Sequence, residues 1–454
     1  MNSLVQHDVC ALIADLFYGT ADFREGTDTG SAPSLPALSV LKADWKAICE
    51  ELDEQAIPLL FSDYLINIYM PESVVETWKS NCFDDFDFNI RALDVLQWLD
   101  DLFAEHGIPY MVLKGTSAAA LYPRPILRTQ GDIDILVAPE HMAEALRVLD
   151  EADCEGTHLS ELPGGNTTRS DRTAESAGKA EDEKKHGEKC GEKRGEKHKT
   201  EPDRHYAYKK DRVYIEVHTR FATLNTSEAE RLLDHWLYKA IEERTVRKEV
   251  FYVSFPAPPD DLNGLVLLTH INQHLEEGLG LRQIIDWMVY VQHHLSDEAW
   301  PAFRAKASGL GLEKLAITVT RMCQLYLGLP KTYISWCSDA DTELCRDLLD
   351  YIFECGNFGY KQGMSNSAAM VISHGRGLRG FFRNLQKRGE ANWTFYKKHT
   401  WARPAAWIYQ LCRYGKIALN RKDALGSLTR EVEAGKKRGS LVDRLGGTSL
   451  SRKK

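Results

Sequence analysis

The sequence predicts an α+β protein, with a strand–helix core set between an N-terminal helical region and a longer, mainly helical C-terminal domain. Three observations lead there. Apolar residues recur at helical spacing on both sides of the middle of the chain. At Ile108 the period changes to short, continuous apolar runs. A polar tract with almost no large apolar residue then interrupts the core between about 163 and 203.

From Leu35 to about His106 the apolar positions lie mostly three to five residues apart, as in Trp45, Ile48, Leu52 and Ile57. Ile90, Leu93, Leu96, Leu99 and Phe103 repeat the pattern, which marks helices with one buried face. Ile108–Leu113 (IPYMVL) reads as a buried strand, and Lys114-Gly115 punctuates it. Thr116-Ser117-Ala118-Ala119-Ala120 opens a helix with hydroxyls at its start. Gly131–Val137 is a second strand, and a helix from Pro139 to about Ala152 follows. Strand, turn, helix, strand and helix within so short a span make an α/β unit. In the polar tract, Gly-Glu-Lys recurs at 187–189, 191–193 and 195–197. Nothing there offsets a backbone entropy cost of roughly 1–2 kcal/mol per residue, so a disordered insertion is expected. The fold resumes with HYAYKK, a turn near Asp211, and a strand in which Val213, Ile215 and Val217 face one way and Tyr214, Glu216 and His218 the other. From Ser227 to about Leu419 the helical period returns. The expected divisions are a flexible lead (1–34), an N-terminal helical region (35–106), a core (107–222) carrying the insertion, a helical domain (223–419) and a basic tail (420–454).

Composition narrows the function classes. The chain has 454 residues, 43% hydrophobic and 27% charged, as in a soluble globular enzyme. A formal net charge of -9 argues against coating nucleic acid, though it allows a local basic patch. The ten cysteines form no C-x-x-C pair, so reduced thiols in a cytoplasmic protein are expected rather than a zinc or disulfide framework. The start MNSLVQHDVCALIADLF lacks the basic and apolar blocks of a signal peptide, and no apolar run approaches the ~20 residues of a membrane span.

The candidate chemistry centres on acids. Asp132 and Asp134, two apart on a strand, project from one face. Carboxylates about 4 Å apart repel by ~4 kcal/mol at an effective dielectric near 20, so such a pair calls for a cation or a strong donor. Glu216, on the polar face of another strand, supplies a third acid. Three carboxylates with open positions suit Mg²⁺ (or Mn²⁺) shared with substrate phosphates. Gly115 would let backbone approach a phosphate, Thr116 and Ser117 open a helix whose N–H groups attract anions, and Lys114 and Arg128 would balance phosphate charge. Arg128 would alternatively pair with one of the aspartates.

Other polar residues have competing readings. His218 shares the face of Glu216 and either supports the site or faces solvent. His270 and His274 share a helix face, but Ile271 stands where a zinc H-E-x-x-H motif needs Glu. His274 is therefore either a packing residue or a nucleotide or acceptor contact. Arg282 and Asp286 read as an i,i+4 helix salt bridge. Gly375–Gly380 matches G-x-G-x-x-G literally but lacks the second strand and placed acid of a dinucleotide site.

These residues also carry a family resemblance. LKGTSAAALYPRPILRTQGDIDILV, followed by Ile215-Glu216-Val217-His218, resembles the signature of the uncharacterised nucleotidyltransferase family in the DNA polymerase β-like superfamily. WKAICEELDEQAIPLL, LLTHINQHLEEGLGLRQIIDWMVYV and ECGNFGY (354–360) extend the likeness over roughly residues 40–420. The resemblance implies a mixed sheet of five or so strands with a helical domain, and Asp132, Asp134 and Glu216 as metal ligands. One departure stands out: the superfamily has Gly-Ser at the phosphate turn, where this chain has Lys114-Gly115. The expected activity is Mg²⁺-dependent transfer of NMP from an NTP to a hydroxyl acceptor (small molecule, RNA or protein). The alternatives are a nucleotide-binding module without turnover and a toxin-like enzyme that modifies tRNA or protein. Replacing residues 165–202 with a short Gly/Ser linker is predicted to leave the melting temperature nearly unchanged, since loop closure costs only about 0.6 kcal/mol per doubling of length. A collapse of the melting temperature would show that the segment is part of the fold.

Overall fold

Two hydrophobic cores lie on the two faces of a five-stranded sheet in the computed structural model. The structure describes residues 3–18, 44–62, 65, 71–152, 154–157, 205–224, 226–357, 361, 400–419 and 439–446, with single positions between 382 and 393. The expected insertion and the Gly375–Gly380 motif lie outside these residues, as does ECGNFGY from 358 to 360.

The helices before the sheet are α1 (Ser3–Tyr18), α2 (Trp45–Glu54) and α3 (Glu72–Glu105). The core contains β1 (Tyr110–Val112), α4 (Lys114–Ala119), β2 (Ile133–Val137), α5 (Met142–Glu151), β3 (Glu155–Thr157), β4 (His205–Lys210) and β5 (Val213–His218). Strand order is β1-β2-β5-β4-β3, with β2 and β5 parallel and the other pairs antiparallel. This is the mixed sheet that the resemblance implies.

The period-2 alternation of the strands divides the molecule. Ile133, Ile135 and Val137 of β2, with Val213, Ile215 and Val217 of β5, join Phe88, Leu96, Leu99 and Phe103 of α3 in one core. Leu136, Met111 and Leu113 face the other core. That core is built mainly from α6 (Ser227–Glu243), α7 (Asp260–Glu277), α8 (Leu281–His294), α9 (Trp300–Gly309), α10 (Glu313–Tyr326) and α11 (Thr342–Cys355). A further helix, α12 (Ala406–Leu419), follows. Helices α7 and α8 cross closely at Gly264, where a Cβ would stand 2.3 Å from the Tyr290 ring. No described helix is long and apolar enough to cross a membrane.

One expectation about the ends needs correction, and the tail and the helical domain gain detail. Residues 3–18, read as part of a flexible lead, form α1, with Val9, Leu12 and Ile13 buried in the first-named core's counterpart across the sheet. The burial comes from tertiary partners: α1 packs on α2, and Ala14 lies against Gly328. Within the expected basic tail, residues 439–446 bury Leu441, Val442 and Leu445. The region expected to be mainly helical also contains a hairpin, β6 (Val246–Val250) and β7 (Val253–Ala257), because Val253, Phe255 and Ala257 alternate into the α3 side of the sheet.

One buried polar residue ties α3 to the segment that leads into β2. The Asn89 amide donates to the carbonyls of Ile126 (2.7 Å) and Arg128 (3.0 Å), and its oxygen accepts from Gln130 N–H at 2.8 Å. Asn89→Ala should therefore cost about 2–4 kcal/mol, because several buried backbone groups lose their partners together. Urea denaturation checks this, and a change below about 0.5 kcal/mol would mean that the segment holds its course unaided.

Candidate active site

Parallel pairing of β2 with β5 puts Asp134 directly beside Glu216, and Leu136 beside His218. Residues paired in this way share a sheet face, so two carboxylates and an imidazole converge on the side away from α3. One ligand-type atom from each of Asp134, Glu216 and His218 lies within 4.8 Å of the others. Asp132 falls just before β2 rather than within it, and sits exposed at the rim.

Two donors meet at one Asp134 oxygen. Lys114 Nζ and His218 Nε2 are each 2.7 Å from Oδ1. His218 Nε2 is also 3.5 Å from Glu216 Oε2. Burial by itself would raise the Asp134 carboxyl, but the Lys114 ammonium and the His218 hydrogen bond outweigh it and hold Asp134 well below the usual range. Burial likewise opposes the charge on Lys114, yet Asp134, Glu216 and Asp132 hold its ammonium above its ordinary value. Glu216 moves the other way. Burial and the negative charges of Asp132 and Asp134 push it up to about 9. Asp132 is raised too, by the protein crowding its carboxylate and by Asp134, despite its open position.

Local backbone fixes Lys114. It follows β1 and opens α4 with φ at 51°, in the left-handed region that costs a side chain roughly 1–2 kcal/mol. The ion pair with Asp134 accompanies that strain. At Gly115 a Cβ would stand 2.9 Å from Arg128 Nη1, so the close approach served by this glycine is to Arg128. Phe221 lies beneath both donors: its ring is edge-on to His218, and Lys114 Nζ is 5.6 Å from its centroid. Asp234 on α6 accepts from Phe221 N–H (3.1 Å) and Ala222 N–H (2.9 Å), which anchors the segment after β5.

The other expected phosphate contacts turn inward. Arg128 is buried, and its fork grips Asp286 of α8, with Nε to Oδ1 at 3.0 Å and Nη2 to Oδ2 at 2.6 Å. Tyr122 Oη also donates to Asp286 Oδ1 at 2.7 Å. Arg128 therefore pairs neither with Asp132 nor with Asp134, and the expected partnership of Asp286 with Arg282 gives way to one with Arg128. The Thr116 hydroxyl bonds Gln130 Oε1 at 3.2 Å, and the Ser117 hydroxyl bonds Asn263 Oδ1 at 3.2 Å. Both residues are buried.

His274 is buried on α7, with its Nε2 2.8 Å from Nε2 of His270, the more open of the two. Burial, then Lys114 and Arg282, hold His274 down to about 3, and His270 is also well below its ordinary value. The pair is neutral at physiological pH. Sequence reasoning missed Asn89, Asp234, Asn263 and Arg282. Only Arg282 carried a signal, as the one basic residue at the start of α8, and its spacing from Asp286 pointed to a helix bridge.

The fold and the acid-lined strand pair define a nucleotidyltransferase-type α+β protein. The chain belongs to a family described as uncharacterised nucleotidyltransferase, whose model matches residues 42–328, from α2 through α10. No curated protein and no solved structure matches the chain.

The raised Glu216 carboxyl has a consequence for stability. In metal-free protein between about pH 4.5 and 9 the folded state binds more protons at this site than the unfolded chain, so stability falls as pH rises. Glu216→Gln removes that loss. In EDTA the variant should be more stable than wild type at pH 8, with the difference shrinking towards pH 4.5. Parallel melting curves across this range would expose an unshifted Glu216.

Proposed function

We propose that the protein transfers an NMP group from a nucleoside triphosphate to a hydroxyl acceptor. The observation that carries this reading is the in-register placement of Asp134 and Glu216 on adjacent parallel strands, with Asp132 at the rim. Two carboxylates and an imidazole within 4.8 Å of one another are a donor set that fits a divalent cation, and the displaced Glu216 proton marks where its charge would act. Asp132, Asp134 and Glu216 would hold Mg²⁺ or Mn²⁺, which supplies charge neutralisation and polarises the α-phosphate when bound. His218 orients Asp134 through its hydrogen bond, and Lys114 offsets the negative charge that the acids and the phosphates share.

In the proposed transfer the acceptor oxygen bonds the α-phosphorus, the bond from that phosphorus to the β-bridging oxygen breaks, and pyrophosphate leaves. The Glu216 carboxylate receives the acceptor's proton. The nine free cysteines among the described residues fit a reducing compartment, and the cytoplasm is the proposed location.

A second reading is a nucleotide-binding module without turnover. It is favoured by the capture of Asp134 by Lys114 and by the inward-turned hydroxyls of Thr116 and Ser117. Incubation of the full chain with each α-labelled NTP, Mg²⁺ and extracts of RNA, protein and small molecules separates the two. Asp132→Asn, Asp134→Asn and Glu216→Gln should remain folded and lose NMP transfer by several orders of magnitude. Wild-type protein that binds Mg·NTP but releases no pyrophosphate with any acceptor would establish the second reading. Folded acid variants with undiminished transfer would remove these acids from the chemistry.

A further inference from the structure

We propose that Arg282, set against the Thr129–Asp132 turn, is the side chain that holds the phosphate chain of the nucleotide. This rests on the nucleotidyl-transfer reading above and assigns a residue outside the expected set. The cations expected to do this work are committed elsewhere. Arg128 is locked onto Asp286 beneath the turn, and Lys114 is bonded to Asp134.

Arg282 stands at the first turn of α8. Its Nη1 donates to the Thr129 carbonyl at 3.3 Å, the same carbonyl that takes Arg128 Nη1 at 3.1 Å. The same Nη1 is 4.0 Å from where a Cβ on Gly131 would be, so the guanidinium lies against the backbone immediately before Asp132. The buried hydroxyl of the same Thr129 has no hydrogen-bond partner among the described residues.

The electrostatics agree with the geometry. Arg282 brings a positive charge against the backbone immediately before Asp132. The site therefore has an acidic wall from β2 and β5 and a cation from the first turn of α8. A metal–triphosphate has the matching polarity, with cation towards the acids and phosphate oxygens towards the guanidinium. A planar guanidinium takes two phosphate oxygens at once, which an ammonium does not.

Isothermal titration of the full chain tests this, with inorganic tripolyphosphate, the four NTPs and the matching nucleosides as probes, all in Mg²⁺. Arg282→Ala should weaken tripolyphosphate and NTP binding by about 10- to 100-fold, the range of a lost charge-assisted pair, and leave nucleoside affinity unchanged. Arg282→Lys should fall between the two and keeps the charge should the alanine variant fail to fold. Phosphate affinity unchanged in both folded variants, or in the lysine variant alone with no difference from wild type, would overturn the assignment. Equal losses for nucleoside and triphosphate would reduce Arg282 to a structural role and overturn it as well. A wild type that binds neither tripolyphosphate nor any NTP would remove the nucleotidyl-transfer reading itself.

Discussion

Two carboxylates held side by side where β2 meets β5 set the terms for the rest of the structure. Parallel register leaves Asp134 and Glu216 no freedom to separate, and Asp132 adds a third negative charge at the rim. Like charges at such range repel by several kcal/mol unless opposed. The protein opposes them unevenly. Lys114 and His218 both attach to Asp134, which stays ionised, while Glu216 keeps its proton. One acid is thus held as the anion, and its neighbour as the neutral acid at neutral pH.

The scaffold around the acids is built from buried polar contacts that cross the chain. Asn89 of α3 binds the segment before β2 from one side, and the Arg128–Asp286 fork binds it to α8 from the other. Breaking a buried pair of this kind by removing one partner typically costs 3–5 kcal/mol, because the other charge is left in a dry interior. Such contacts add little net stability over apolar packing. Their effect is positional: they fix where the Thr129–Asp132 turn lies relative to the strand edge and to Arg282.

Much of the architecture was legible because local patterns and tertiary burial agree. Ile133-Asp134-Ile135 and Ile215-Glu216-Val217 alternate apolar and acidic residues, so both strands, and the faces of Asp134 and Glu216, follow from the period alone. The helical period marked α2, α3 and the α7–α8 pair equally well. Misreadings came where burial depends on a distant partner. Helix α1 is followed by a polar run, and partners distant in sequence, among them α2 and Gly328, give its apolar face a place. The β6–β7 hairpin gains its core by packing against α3, more than a hundred residues earlier in the chain.

At the site, the sequence by itself determined which side chains are the candidates: Asp134 and Glu216 on strand faces, Asp132 just before β2, a lysine at the turn and a histidine beside Glu216. These are local matters of residue type and spacing. Tertiary structure alone decided how the charges are shared. Arg128 and Asp286 are separated by 158 residues in sequence yet neutralise each other, Lys114 turns to Asp134, and Arg282 comes to stand beside the turn before Asp132. Spacing along the chain cannot express these pairings, because a charge interacts with whatever folding brings within a few ångströms of it, and that is set by the packing of α8 against the sheet.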